Sequence, residues 1–159
     1  MRFKLFFAAL ILMSMASDTT LETARAYYLK GGSDSKSAES LKTLTNGKTE
    51  AIYKAYHGVA WGFLAKHNSN PVNKLSYVKK SLSLLNDAVL ADAINVEVRF
   101  LRFSVEENIP SIVSFTSHVS GDKAMILNNL LPSHAFYKTM KAYLQQSKSL
   151  TEAEKKSIK

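Results

Sequence analysis

The chain has 159 residues, 21 of them basic and 13 acidic, which gives a net charge of +8 at pH 7, and it contains no cysteine. The absence of cysteine excludes disulfides and also a lipoprotein, because lipid attachment after signal cleavage requires a cysteine at the new N-terminus. The basic residues are spread along the chain and do not form the dense stripe with neighbouring aromatic residues that nucleic-acid binding usually shows, so we expect no nucleic-acid partner.

The first 16 residues have the pattern of a secretory signal peptide. Two cations, Arg2 and Lys4, precede an apolar run over 5–13, and small residues follow over 14–17. The run is too short for a transmembrane helix, which needs roughly 20 apolar residues. We therefore expect cleavage close to residue 16 and an exported protein, periplasmic or secreted. Its mature chain, 17–159, is expected to be a single helical domain without a transmembrane segment. A buried N-terminal helix of a cytosolic protein is the alternative.

The first half of the mature chain is predicted to form three helices. Residues 18–30 and 33–44 are expected to form a helix pair joined at Gly31-Gly32, with Gly31 as the C-cap. Over 49–66 the apolar residues recur every three or four positions in two stripes. The bulky stripe is Ile52, Tyr56, Val59 and Phe63, and the small one is Ala51, Ala55, Gly58 and Gly62. Glycine inside a helix costs about 1 kcal/mol relative to alanine, so the small stripe predicts that another helix packs very close to it.

The clearest helix is predicted over 71–91. Pro71 suits the first helical position, with Ser69 or Asn70 as the cap. Its apolar stripe is Leu75, Val78, Leu82, Leu85 and Val89. Residues 95–108 alternate in part like a strand, but two sets of apolar residues are out of phase. A helix places Val98, Leu101 and Val105 together and sets Arg99, Arg102 and Glu106 on one polar side, so we predict a helix.

Three shorter helices are predicted in the C-terminal third. Ser120 is expected to cap a helix that continues to about Leu130. Pro132 or Ser133 is expected to begin another, whose inward face consists of Phe136, Met140, Tyr143 and Leu144. Thr151 and Glu154 have the spacing of a capping box for a last short helix.

The segment 75–103 resembles part of a tetratricopeptide repeat. Ser81, Leu85, Ala88-Val89 and the turn Asp92-Ala93-Ile94-Asn95 occupy the matching positions, although Ala93 stands where proline is usual and no regular period of about 34 residues fits the chain. The stretches KLSYVKKSLSLLNDAV and INVEVRFLRFSVEENIPSI, with Asp122-Lys123 downstream, are also similar to a group of small exported bacterial proteins of unknown function. The resemblance implies an all-α fold, a tetratricopeptide-like stack of antiparallel helix pairs in one compact domain, and it implies no activity.

No catalytic, cofactor or metal site is predicted. The chain lacks the serine and glycine motifs of known nucleophile and phosphate sites. Its histidines lie on separate elements, and none has a second ligand at helical spacing. They are His57, His67, His118 and His134.

The densest charged group is a possible recognition patch at the end of the helix over 95–108. The alternative is a solvated helix face with ion pairs worth about 0.2 to 0.5 kcal/mol each. The group consists of Arg99, Arg102, Glu106, Glu107 and Asn108.

Stacked helix pairs leave a concave surface, and proteins built in this way usually bind peptides or other proteins. We therefore expect a non-enzymatic interaction module whose partner is a protein or a peptide, with no cofactor. Two alternatives stay open. One is a small, hydrolase-like enzyme whose site is assembled from scattered residues such as Glu106, His118 and Asp122. The other is an envelope-associated protein that is held by its basic C-terminal tail.

Overall fold

The computed structural model describes residues 18–158. That range contains eight α-helices and no β-strand, so the predicted all-α class is confirmed. The predicted signal peptide lies outside the described residues. Within 18–158, no helix combines the length and the apolar content that crossing a bilayer requires. The helices are α1 Thr19–Gly31, α2 Ser35–Thr45, α3 Ala51–His67, α4 Pro71–Ala91, α5 Val96–Glu106, α6 Val119–Asn129, α7 Tyr137–Gln146 and α8 Glu152–Ser157.

Helix α3 is the centre of the packing. It lies along α4 over most of its length and also contacts α1, α2 and α5, while α6 packs on α5. The connections 32–34, 46–50 and 68–70 are short, and each of the first four helices packs on its neighbour in the chain. The core is built around three fully buried aromatic residues, Tyr56, Phe100 and Phe103, and α7 adds Met140 and Leu144.

The small stripe of α3 faces α4, as its spacing predicts. A Cβ on Gly58 would lie 2.8 Å from Leu85 Cγ and 3.1 Å from the carbonyl oxygen of Ser81. A Cβ on Gly62 would lie 3.2 Å from Ser81 Oγ. The prediction that another helix packs very close at these glycines is therefore confirmed.

Gly31 has a different function from the predicted one. It is the last residue of α1, and the cap is Gly32, which has a right-handed φ of −67°. A Cβ on Gly31 would lie only 2.5 Å from the ring of Phe63. The missing side chain therefore makes room for this ring, and the end of α1 needs no left-handed residue.

Capping residues identify the starts of α4, α5 and α8. The side chain of Asn70 caps α4 at Pro71, and the side chain of Asn95 caps α5 at Val96. The helix predicted over 95–108 is therefore confirmed, although this segment alternates in part like a strand. The capping box of Thr151 and Glu154 is present at α8. In the α4 stripe, Leu85 and Val89 are buried, whereas Leu75 is 42% exposed.

Helices α6 and α7 begin elsewhere than predicted. Ser120 lies inside α6, because the N–H of His118 already donates to Glu106 Oε2 at 2.6 Å, just before the first turn. Helix α7 begins at Tyr137 rather than at Pro132 or Ser133. The ring of His134 explains this delay, since its Nδ1 accepts the N–H of Phe136 at 3.0 Å and holds the preceding residues in turns.

Candidate functional site

Helix α5 is buried on nearly every side, and its burial includes charged residues. Glu97 is 2% exposed, Glu106 3% and Arg102 5%. Ionised side chains are buried only when opposite charges or hydrogen bonds compensate for the lost water. The partners of these three residues show how α5 is connected to the helices around it.

Glu97 joins α5 to α1 and α3. Arg25 donates from Nε to Oε1 at 2.9 Å and from Nη2 to Oε2 at 2.6 Å, a bidentate pair. The hydroxyl of Tyr56 donates to Oε1 at 2.6 Å. Hydrogen bonding to Glu97 raises the pKa of Arg25, and burial raises the pKa of Tyr56, so both groups remain donors. Burial lowers the pKa of His134, whose Nε2 lies 3.7 Å from Glu97 Oε2.

Asp122 joins α6 to α5. Its carboxylate is fully buried and accepts from Arg99 Nη1 at 2.9 Å and from Arg102 Nε and Nη2 at 2.7 and 2.8 Å. Arg102 also donates to Asn86 Oδ1 on α4 at 3.1 Å, and Arg99 donates to the carbonyl of Ala93. The two arginines thus connect α6 to α5 and to the C-terminal end of α4.

Glu106 forms the second link to α6. Its Oε1 lies 2.9 Å from His118 Nδ1, and its Oε2 accepts the N–H of the same residue. A carboxylate at this position also faces the positive end of the α6 dipole. Both oxygens are therefore engaged in holding the start of α6.

The predicted recognition patch is divided by these contacts. Arg102 is buried in an ion pair with Asp122, and Glu106 is buried against His118, so the alternative of a solvated face does not describe them. Arg99 and Glu107 are half-buried, and Asn108 is exposed. Surface recognition by the full set stays a prediction.

The three residues of the enzyme alternative do lie close together. Glu106 pairs with His118, and Asp122 lies one turn further along α6, where its N–H donates to the carbonyl of His118. The Asp122 oxygens are engaged by arginine donors, which is typical of a structural ion pair. Within 18–158 no group of three or more metal-ligating side chains is placed to hold an ion.

A small cavity, here called the inner cavity, lies where α1, α3, α4, α5 and α7 meet. Its volume is about 140 Å³. Its walls include Tyr28, Gly62, Phe63, Val78, Ser81, Ser104, Val105, Ile109 and Tyr143, with Lys66 and Asn108 at the polar edge. Ser81 is fully buried, and its Oγ has no hydrogen-bond partner in the described part of the chain. The sequence pattern does not predict this cavity, although Gly62 of the small stripe lines it.

A wider surface depression, here called the outer groove, continues from the inner cavity. It runs between α1, the end of α3 and α7, and its volume is about 640 Å³. Tyr28, Phe63 and Tyr143 line both the cavity and the groove. The remaining groove residues are Leu29, Gly32, Lys138, Thr139, Ala142 and Gln146.

Tyr143 lines both the inner cavity and the outer groove. Its hydroxyl donates to the carbonyl of Ser104 at 3.1 Å and accepts from Asn108 Nδ2 at 2.7 Å. Glu107 Oε1 lies 3.2 Å away. Burial, and then the charge of Glu107, raises the pKa of Tyr143, so the hydroxyl stays protonated. The ring stands edge-on to Phe100, with centroids 5.4 Å apart.

Lysines surround these apolar walls. Lys66 lies beside the inner cavity, where its Nζ donates to the carbonyl of Gly32 at 2.7 Å. Lys138 is exposed in the outer groove. Lys148 is exposed in a hollow of about 270 Å³ that adjoins Tyr143. The carboxylate of Glu107 also lines this hollow, but Ser147 Oγ donates to it at 2.6 Å.

No family model, no curated protein and no solved structure matches this chain. The geometry of the inner cavity and the outer groove therefore carries the functional argument.

Proposed function

We propose that this chain is an exported, non-enzymatic interaction module that binds an extended acidic segment of a partner protein in the outer groove. Export rests on the signal-peptide pattern over 1–16. The proposal includes stacking of the helices in tetratricopeptide-like antiparallel pairs, an arrangement that leaves one side of the stack free for a partner.

The observation that carries the proposal is the combination of an apolar floor and an exposed lysine in one groove, with two further lysines in the adjoining hollows. Tyr28, Phe63 and Tyr143 form an aromatic floor, and Leu29 is 62% exposed beside it. Lys138 lies on the same surface. Aromatic residues provide most of the contact energy in protein recognition, and rim charges select the partner by complementarity. These features favour a segment that carries both large apolar side chains and carboxylates.

An extended segment can contact the apolar residues of the groove and Lys138 together. In an extended chain, successive side chains point to opposite sides, so alternate apolar residues can contact the floor while the carboxylates between them reach the lysines. A labelled peptide of about eight residues in which leucine and aspartate alternate is a suitable probe, with a leucine–lysine peptide of the same length for comparison. Fluorescence anisotropy gives the dissociation constants.

We expect the aspartate peptide to bind and the lysine peptide not to bind. Lys138→Glu should weaken binding of the aspartate peptide about tenfold, because it places a negative charge in the groove. Lys79→Glu is the matched control, since it makes the same charge change at an exposed position of α4 outside the groove. Leu29→Ser should also weaken binding, whereas Leu90→Ser, at a residue 83% exposed on α4, should not.

Two results would contradict the proposal. One is the absence of saturable binding by the aspartate peptide. The other is equal weakening by Lys138→Glu and Lys79→Glu, since this would show attraction to the overall positive charge and no use of the groove.

A further inference from the structure

We infer that the inner cavity is a binding site for a small, neutral, apolar molecule that carries one hydroxyl or carbonyl group, which Ser81 Oγ hydrogen-bonds. This site goes beyond the proposed protein segment in the outer groove, and the two can be tested separately.

The size of the cavity sets the size of the ligand. Its volume is about 140 Å³. An apolar cavity of about 150 Å³ engineered in another protein binds benzene, so a single six-membered ring is the expected scale. The walls formed by Phe63, Val78, Val105 and Ile109 are apolar, which favours a molecule that is apolar over most of its surface.

Ser81 defines the polar part of the ligand. Its side chain is fully buried, and its hydroxyl has no partner within 18–158. Its Oγ faces α3, at 3.2 Å from the position that a Cβ on Gly62 would occupy. A buried hydroxyl without a hydrogen bond is unfavourable, and a polar group on a bound molecule removes this cost. Glycine at 62 keeps the space in front of the hydroxyl open.

The neutral character of the ligand follows from the surroundings of Ser81. A hydroxyl offers one donor and two acceptor positions but no charge. An ionised group placed at this depth would lose its hydration without a compensating charge. Lys66 is exposed, and its Nζ is already engaged with the carbonyl of Gly32. A neutral alcohol, phenol or ketone therefore fits better than a carboxylate.

Phenol and toluene provide the test, because they have similar shapes and differ in a hydroxyl against a methyl group. The purified chain is titrated with each compound up to the solubility limit of toluene, and the methyl resonances of Val78, Val105 and Ile109 are followed by NMR. We expect saturable shifts at these methyl groups, with phenol bound about fivefold more tightly than toluene.

The matched variants are Ser81→Ala and Ser104→Ala. Both serines are buried and line the cavity, but Ser104 Oγ already donates to the carbonyl of Leu101 at 2.9 Å. Ser81→Ala should abolish the preference for phenol over toluene, and Ser104→Ala should keep it. Ser81→Ala removes a hydroxyl that has no partner, so its melting temperature should be no lower than that of the unaltered chain. Val78→Phe, at a half-buried wall residue, should prevent binding of both compounds.

Three results would overturn the inference. They are the absence of saturable shifts at the three methyl groups, a preference for phenol that persists in Ser81→Ala, and shifts confined to Leu29 and Ala142 in the outer groove. Lys138→Glu is expected to change binding of the aspartate peptide and to leave phenol binding unaltered. The failure of one site is therefore distinguishable from the failure of the other.

Discussion

Glu97 connects three helices through one carboxylate. Two of its donors come from Arg25 on α1 and one from Tyr56 on α3. Such a pair contributes little net stability compared with apolar residues of the same size, because both charges lose their hydration. Removing one partner strongly destabilises the fold, because the remaining charge is then buried without compensation.

Glu97→Gln should therefore lower the free energy of unfolding by about 3 kcal/mol. The amide keeps an acceptor for Tyr56 but leaves the guanidinium of Arg25 without its buried opposite charge. Urea denaturation followed by circular dichroism measures the effect. Glu39→Gln is the control, because Glu39 pairs with Lys42 on the surface, and its loss should barely move the midpoint. Equal midpoints for the two variants would contradict this account of Glu97.

The burial of these charges could not be predicted from the sequence. Helical spacing indicated that Arg99, Arg102 and Glu106 share one side of α5, and it suggested either a recognition patch or a solvated face. The deciding partner is Asp122, which lies 20 residues from Arg102 in the chain. Local periodicity contains no information about a contact of that kind. Ser81 shows the same limit, since the resemblance to a tetratricopeptide repeat places it at a matching position without showing that its hydroxyl has no partner within 18–158.

At the scale of the helix, the two glycines of α3 have different surroundings. Gly58 faces the backbone and a branched side chain of α4, whereas Gly62 faces the hydroxyl of Ser81 and an ordinary contact with Val105. Backbone cannot move aside without shifting the helix, but a hydroxyl beside an open cavity can rotate away.

Gly58→Ala should therefore destabilise the protein by about 1 to 3 kcal/mol through overpacking against α4. Gly62→Ala should be neutral or stabilising by up to about 1 kcal/mol, because alanine is the better helix former and the Ser81 hydroxyl, the atom nearest to the new methyl group at 3.2 Å, can rotate away. Thermal denaturation of the two variants side by side provides the measurement. Similar losses of stability in both would show that the inner cavity offers no room next to Gly62.

Helix positions were predictable where capping chemistry is local. Asn70, Asn95 and Thr151 cap α4, α5 and α8 through residues two or three positions away. The start of α6 instead depends on Glu106, which lies 12 residues away in the chain. The start of α7 depends on the ring of His134, a local contact from a residue that is not one of the usual helix caps. Side-chain hydrogen bonds of this kind compete with the helix, and their geometry depends on tertiary packing.

For the whole molecule, the helical class followed from periodicity because every long segment repeats its apolar residues once per turn. The inner cavity and the outer groove could not be predicted from this periodicity, because both form where helices from distant parts of the chain meet. Stacking of the helices in tetratricopeptide-like pairs stays part of the proposed function.

Global stability should decrease as the pH falls from about 7.5 to 5.5. Burial lowers the pKa of His57 and of His134 below the ordinary value of 6.5, so the unfolded chain takes up protons in this range before the folded one does. Protonation would also place a hydrogen on His57 Nε2, which accepts from Trp61 Nε1 at 3.2 Å. The negative charge of Glu97 raises the pKa of His134, but this effect is smaller than the lowering caused by burial.

Urea midpoints at the two pH values measure this dependence. The double variant His57→Gln/His134→Gln should show a smaller decrease than the unaltered chain. The carboxyl groups whose pKa is lowered, such as Asp34 and Glu154, lose their contribution only below this range. If the urea midpoint of the double variant decreases as much as that of the unaltered chain, other titratable groups cause the pH dependence.

The position of Tyr143 has a mechanical consequence. The ring of Tyr143 lines the inner cavity, the outer groove and the hollow beside Lys148. A rotation of that ring would therefore change the shape of all three hollows together. Because its hydroxyl is tied to the backbone of Ser104 and to Asn108, such a rotation would also pull on the last turn of α5. The same side chain would thereby couple the shape of the hollows to the C-terminal end of α5.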